Sequence, residues 1–192
     1  VLIIVMSVMN GFRSELIEKI VGFNPHVVVQ PYENSLEKKK FKNRELKKIS
    51  NKIILSNKGE AVIINKEYTK GIVLRGYSKK SFSKLEIVNN KNFIGNKDIK
   101  SKHISIGKEL SYNLDVKIGD KILIMSPSGI QTIAGNLPKQ ESYIIDSIFD
   151  SGLADFDLNV AFINIVDLEN LFDLDSKNRF LEIYLKNPQA ID

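Results

Sequence analysis

The apolar residues of this chain fall into short, β-branched runs rather than long helical stripes. That arrangement limits its fold more than any other feature. His26 to Gln30 reads as a strand closed by Pro31. Ala61 to Tyr68 and Gly71 to Gly76 read as strands around a turn at Thr69-Lys70. His103 to Ile106, Lys121 to Met125, Ser142 to Phe149, Asn159 to Val166 and Arg179 to Leu185 continue the series. Beyond residue 21, helical spacing is confined to four places. These are a Lys-rich stretch over residues 35–52, a turn at Ser81 to Leu85, Gly107 to Leu114, and Asp167 to Phe172, with Asp167 as candidate cap. Residues 91–102 are polar and contain Gly95-Asn96, which predicts a loop. Strands outnumber helices and do not alternate with them, so the fold class is α+β rather than doubly wound α/β.

The 192 residues suffice for one domain, or for one domain carrying an inserted lobe. Hydrophobic residues at 43% and charged residues at 27% describe a globular chain. A mean hydropathy of −0.12 excludes a multi-span membrane protein. With no cysteine, disulfides, thiolate metal sites and cysteine nucleophiles are excluded. His26 and His103 are the only histidines and lie far apart in sequence, which argues against a multi-histidine metal site. Each reads as a satisfied or edge histidine.

The net charge of +5 invites a nucleic-acid reading. Only Arg13, Arg44, Arg75 and Arg179 among the 28 basic residues are arginine, the residue that grips phosphate and guanine bidentately. The other 24 are lysines spread along the chain, so no nucleic-acid partner is expected. The phosphate loop, the dinucleotide glycine motif, the hydrolase elbow and the His-Glu-x-x-His motif are all missing. Asp155 with Asp157, and Asp173 with Asp175, fail as calcium loops. The sixth and twelfth positions hold Val160 and Val166 in one case, Asn178 and Tyr184 in the other. The sequence therefore offers no catalytic, cofactor or metal residue, and the expected protein is not an enzyme.

Two segments carry character of their own. Residues 1–9 are apolar, too short to span a bilayer, and without the charged start of a signal peptide. Phe12, Leu16, Ile17 and Ile20 then recur at helical spacing, with Glu15 and Lys19 as an i,i+4 pair. Gly22 and Asn24-Pro25 supply a stop. One helix over residues 1–21 is predicted, apolar all round at first and one-sided after Asn10. That is the pattern of a membrane helix continuing out of the bilayer as a stalk. The second segment is Ser126 to Gln140, which reads as a fifteen-residue connection with Ile130, Ile133 and Leu137 among Pro127, Gly129, Gly135 and Pro138. Its apolar residues either fold back on the domain or form a protruding arm that docks a partner.

Residues 5–16, Val-Met-Ser-Val-Met-Asn-Gly-Phe-Arg-Ser-Glu-Leu, continue to Gly22-Phe23-Asn24-Pro25-His26-Val27. This stretch resembles the LolC/LolE family, the membrane permease subunits of the bacterial lipoprotein-releasing ABC transporter. Supporting matches follow in family order: Ile106-Gly107-x-Glu109-Leu110 through Lys117-Ile118-Gly119-Asp120, then Leu137-Pro138-Lys139-Gln140, then Asp155-Phe156-Asp157 before Ala161-Phe162-Ile163. The resemblance covers essentially the whole chain.

The resemblance implies a MacB-like periplasmic domain in a protein of the bacterial inner membrane. Residues 1–22 would end the first transmembrane helix and its stalk. Residues 23–75 and 176–192 would form an α+β lobe truncated at its C-terminal side. Residues 76–175 would form an inserted, mostly β lobe with a protruding loop over 126–140. The chain would be a fragment of a longer permease. Implied partners are an ATP-binding cassette subunit that hydrolyses ATP, a second permease subunit, a LolA-type periplasmic carrier and the lipoprotein substrate; no cofactor is implied for this chain.

In LolC members the loop matching Ser126 to Gln140 grips the carrier. That assigns carrier contact to Pro127, Ile130, Ile133, Leu137, Pro138 and Gln140. The match departs from the family pattern at Ile133, where proline is usual, and at Asn136, where a basic residue is common; LolE members carry a different loop. Lipoprotein contact falls to Val5, Met6, Met9 and Phe12 on the first helix. The competing readings are a MacB-like permease domain with another cargo and a basic nucleic-acid-binding protein.

Overall fold

The computed structural model of the chain describes residues 6, 7, 9, 11, 22–31, 44–132 and 135–188. The expectations for Val5, Phe12, Ile133, most of the N-terminal helix and the start of the Lys-rich stretch lie outside them. Met6, Ser7, Met9 and Gly11 have helical backbone. No helix among the described residues is long and apolar enough to cross a membrane.

The elements follow in chain order. They are β1 (Val27–Val29), α1 (Arg44–Ile49), β2 (Ser50–Asn65), β3 (Tyr68–Tyr77), α2 (Lys79–Phe82), α3 (Glu86–Asn89) and β4 (Ile94–Gly95). Then come β5 (His103–Gly107), α4 (Lys108–Asn113), β6 (Lys121–Thr132), β7 (Gly135–Phe149), α5 (Ala154–Asn159), β8 (Val160–Asn164), α6 (Ile165–Phe172) and β9 (Phe180–Leu185). The fold is α+β.

Two expectations are corrected at the β2–β3 hairpin. Strand β2 begins at Ser50, where the helical reading of residues 35–52 had run on, and the turn sits at Lys66-Glu67 rather than Thr69-Lys70. Lys66 takes the positive φ the tight turn demands, 51°. The expected loop over residues 91–102 contains the short strand β4. The helix expected from Asp167 starts two residues earlier, because Asn164, not Asp167, accepts the backbone N–H of Val166 at 3.0 Å.

Strand pairing closes on itself. β2 pairs with β3, β3 with β8, β8 with β5, β5 with β7, β7 with β6, and β6 returns to β2 through Val62–Ile64 against Leu123–Met125. The β3–β8 and β5–β7 pairs are parallel and the other four antiparallel. A closed ring of six strands has one face inside, and period-two alternation fills it with Ile63, Leu74, Ile104, Ile106, Ile122, Ile124, Tyr143, Ile145 and Ile163. Leu110 and Leu114 of the α4 region, and Leu168, Leu171 and Phe172 of α6, join the same core. Gly59 admits the Phe172 ring, whose carbons lie 2.7 Å from where a Cβ would stand. Residue 76 lies within β3, which pairs with both β2 and β8 in the ring, and β9 pairs with the first half of β2. Strand β1 adds to the outer edge of β9.

A second core lies on the outside of the ring. Phe82, Leu85, Ile87, Val88 and Ile99 from the 78–100 segment pack on Ile54, Tyr77, Phe149, Phe162 and Tyr184. Beside it lies a buried carboxylate, Glu182 of β9. It accepts hydrogen bonds from Ser56 Oγ at 2.7 Å, Tyr77 OH at 2.9 Å, Tyr184 OH at 3.2 Å and Arg75 Nη2 at 3.2 Å. Burial pulls the Arg75 guanidinium down, but Tyr77, Glu182 and Tyr184 outweigh it and hold its pKa above the ordinary value. Burial raises the Tyr77 and Tyr184 hydroxyls above theirs, so both stay donors at neutral pH. Arg75 Nη1 also reaches Asn24 Oδ1 at 3.4 Å, tying the segment before β1 to this hub.

Candidate functional site

The expected long connection, Ser126 to Gln140, is corrected to strand: it forms the outer parts of β6 and β7, paired Ser126–Lys139, Gly129–Pro138, Ile130–Leu137, Gln131–Asn136 and Thr132–Gly135. The pairing slips between Ser126 and Gly129, as expected where Pro127 and Gly129 interrupt a ladder. A sequence with two prolines and two glycines reads as loop, yet each proline can sit on an edge where no N–H is needed. That condition holds. β6 pairs with β2 only as far as Met125, and β7 meets β5 only from Ile144 onward. Between those limits the two strands have no third strand among the described residues. They form a two-stranded arm leaving the ring at the end that carries α6.

Alternation continues along β7 from core to arm. Ile145 and Tyr143 are buried, Glu141 and Lys139 are half-buried, and Leu137 is 60% exposed. The inward face thus turns from apolar to charged, then to a bare leucine. Leu137 lies opposite Ile130 in the register, while Pro138 is paired with Gly129 and Gln140 with Met125. Pro127, Pro138 and Gln140 are exposed. The predicted carrier residues are therefore brought onto one arm but not one face: Ile130 and Leu137 share a register position, and Pro138 and Gln140 follow the other parity. Ile133 lies outside the described residues. Leu137 does not fold back onto the domain, as one of the two sequence readings required. A cleft of about 380 Å³ beside the arm, on the outer surface of the ring, is lined by Val62, Gly71, Val73, Pro127 and Asn159.

The arm base is held by a polar cluster that the sequence did not single out. Lys102 Nζ donates to Glu141 Oε2 at 2.5 Å, and Tyr143 OH donates to the same carboxylate at 2.9 Å. Burial, then Glu141, raises the Tyr143 pKa far above its ordinary value, which keeps the hydroxyl a donor. The backbone N–H of Lys102 donates to Asp167 Oδ2 of α6 at 2.7 Å, and Ser101 Oγ to Asp167 Oδ1 at 2.8 Å. Lys139 Nζ donates to the carbonyl of Asn170, also in α6. No signal in the sequence pointed to it: the strand is read from Ser142, and only the extension of β7 back to Gly135 puts Lys139 and Glu141 at inward positions.

Of the predicted N-terminal residues, Met6 is 58% and Met9 66% exposed, and Val5 and Phe12 are not among the described residues. The paired carboxylates serve structure. Asp157 is buried and accepts the Ser151 N–H at 3.1 Å on both oxygens, its pKa raised by burial. Asp173 closes α6 with φ at 54°, and Asp175 accepts the Lys177 N–H at 2.9 Å. His26 Nδ1 accepts from the Leu185 N–H at 2.8 Å, and His103 Nδ1 lies 2.8 Å from the Ser101 carbonyl. Among the described residues no three His, Asp or Glu side chains are placed to hold a metal ion.

No family profile matches the chain. It is similar to the lipoprotein-releasing system transmembrane protein LolC of Neisseria meningitidis, 26% identical, covering 98% of this chain and 46% of that protein. It is also similar to LolE of Haemophilus influenzae, 29% identical, covering 77% of this chain and 38% of that protein. The chain thus spans less than half the length of these relatives. Its fold is similar to the periplasmic region of MacB from Actinobacillus actinomycetemcomitans, with a TM-score of 0.51 at 8% identity, over 93% of this chain and 82% of that one. The chain is thus similar in sequence to the LolC and LolE proteins, and its fold is that of a MacB-like periplasmic domain.

Proposed function

We propose that this chain is the periplasmic part of an ABC transporter permease of the bacterial inner membrane. It takes part in lifting lipoproteins from the membrane and passing them to a soluble periplasmic carrier. The observation that carries this reading is the two-stranded arm, with Leu137 60% exposed opposite Ile130. A two-stranded ribbon is marginal alone, and an exposed leucine near its end contributes nothing to folding. Both are accounted for if the arm docks in an apolar groove of the carrier. Ile130, Ile133 and Leu137 would form the contact, with Pro127, Pro138 and Gln140 on its flank.

Lipid anchors bind membranes by about 0.8 kcal/mol per buried CH₂, so extraction needs an apolar acceptor and mechanical work. Exposed Met6 and Met9, with Val5 and Phe12, suit an adaptable surface for acyl chains. The work comes from an ATP-binding cassette subunit separate from this chain, acting on a dimer with a second permease subunit.

The test is Leu137→Asp in the full permease, assembled with its ATPase subunit in proteoliposomes. Release of lipoprotein to added carrier is expected to fall by tenfold or more, since one desolvated anchor residue can hold about 2 kcal/mol or more of an interface. ATPase activity without carrier should be unchanged. Release at the wild-type rate would assign the arm another role, as in LolE or a MacB-like exporter of different cargo.

A further inference from the structure

We propose that Lys102 and Lys139 are positioning residues that brace the arm against helix α6 and fix its angle to the body; the consequence for carrier docking rests on the function proposed above. A two-stranded ribbon twists and bends freely on its own. Here the ribbon leaves the ring beside α6, which sits on the end of the core and is itself pinned by Leu168, Leu171 and Phe172. Two struts run from that helix to β7. The first starts at Asp167 in the first turn of α6, passes through the Lys102 backbone N–H at 2.7 Å, and ends with Lys102 Nζ on Glu141 Oε2 at 2.5 Å. The second joins the Asn170 carbonyl, near the other end of α6, to Lys139 Nζ. Glu141 and Lys139 are successive inward positions of β7, just where its pairing to β5 has ended. The struts therefore straddle the point where the ribbon loses its third strand: Glu141 lies opposite Ile124, still paired to β2, and Lys139 lies opposite Ser126, the first β6 residue beyond that pairing.

Lys102 is built for this place. Its φ is 59°, a conformation that costs a residue with a Cβ and persists only where its surroundings over-determine it. Three contacts do so: its N–H to Asp167, its carbonyl accepting the Ile144 N–H at 3.0 Å, and its ammonium on Glu141. The first belongs to α6 and the other two to β7. A glycine or asparagine would adopt the backbone more readily but would have no ammonium to reach β7. An exposed ion pair adds little stability, so the pair's value lies in direction rather than in free energy of folding.

The experiment measures the arm angle itself. This chain has no cysteine of its own, so in the full permease with its ATPase subunit, any cysteines elsewhere in the assembly first replaced by serine, spin labels at Asn136→Cys on the arm and Glu67→Cys on the β2–β3 turn report one distance. Wild type is expected to give a narrow distribution. Lys102→Met with Lys139→Met should broaden it about twofold, as expected of an unsupported ribbon, and Lys102→Arg with Lys139→Arg should restore it. The melting temperature should stay within a few degrees in all three, as for surface ion pairs. Carrier association should slow about tenfold in the Met pair, with dissociation little changed. An unbroadened distribution in the Met pair overturns the brace. Broadening without slower association overturns its role in docking. A wild-type permease that does not bind carrier overturns the docking function alone, and the distance distribution still decides the brace.

Discussion

Glu182→Ala is expected to destabilise the chain by about 3–5 kcal/mol, the usual cost of removing one partner of a buried ion pair. For a chain of this size that lowers the melting temperature by about 6–20 °C. Four donors converge on this one carboxylate, from Ser56, Arg75, Tyr77 and Tyr184. Without it the Arg75 guanidinium is left charged in an apolar layer, and the three buried hydroxyls of Ser56, Tyr77 and Tyr184 lose this acceptor. The cost comes from these orphaned groups and not from the pair's own net strength. Arg75→Met combined with Glu182→Leu removes both charges and should recover most of the loss. Thermal unfolding followed by circular dichroism checks both. A double variant as unstable as Glu182→Ala would mean that packing, not the unpaired charge, sets the cost.

Gly107→Ala should be comparably damaging, by about 3 kcal/mol or more, at the upper end of overpacking. Its φ of −72° and ψ of 154° suit any residue, so conformational freedom is not what glycine supplies. It supplies space. A Cβ at this position would stand 2.0 Å from the backbone oxygen of Asp157 and 2.5 Å from its carbonyl carbon. The obstacle is main chain, which has no rotamer to change. To make room α5 must move, and with it the Asp157 carboxylate that holds the Ser151 N–H. Urea unfolding of the purified variant measures the loss; a midpoint within error of wild type would show that α5 can shift freely.

These two positions illustrate what the sequence does and does not disclose. Gly107 lies in Ile-Gly-x-Glu-Leu, read correctly as a strand running into a helix, but its need for space depends on α5, fifty residues later. Glu182 sits in the alternating reading of residues 179–185. The strand is instead buried on both faces, and the partners that make a glutamate tolerable there come from β2 and β3. Periodicity located the strands because one buried face leaves a period-two trace. It could not reveal that six of them close into a ring, since β6 returns to β2 through three residue pairs.

The arm was legible as an unusual segment and misread as a loop. Pro127, Gly129, Gly135 and Pro138 carry the strongest turn signals in the chain, and only the missing neighbours on either side make them acceptable in strand. Leu137, the contact residue proposed, has an exposed side chain. Its companions divide between the two faces of the ribbon, a distinction that needs the register. Lys102, Glu141 and Lys139 left no motif at all, because their pairing is set by where α6 lies across the end of the ring.

The proposed account turns on the arm meeting a carrier, and site-specific photocrosslinking tests this most directly. A photoreactive residue is placed at position 137, and as a control at exposed Lys48 of α1, in the permease assembled with its ATPase subunit. The account predicts a crosslink to purified LolA-type carrier from position 137 and none from position 48. An assembled, ATP-hydrolysing permease that gives no carrier crosslink from position 137 would contradict it.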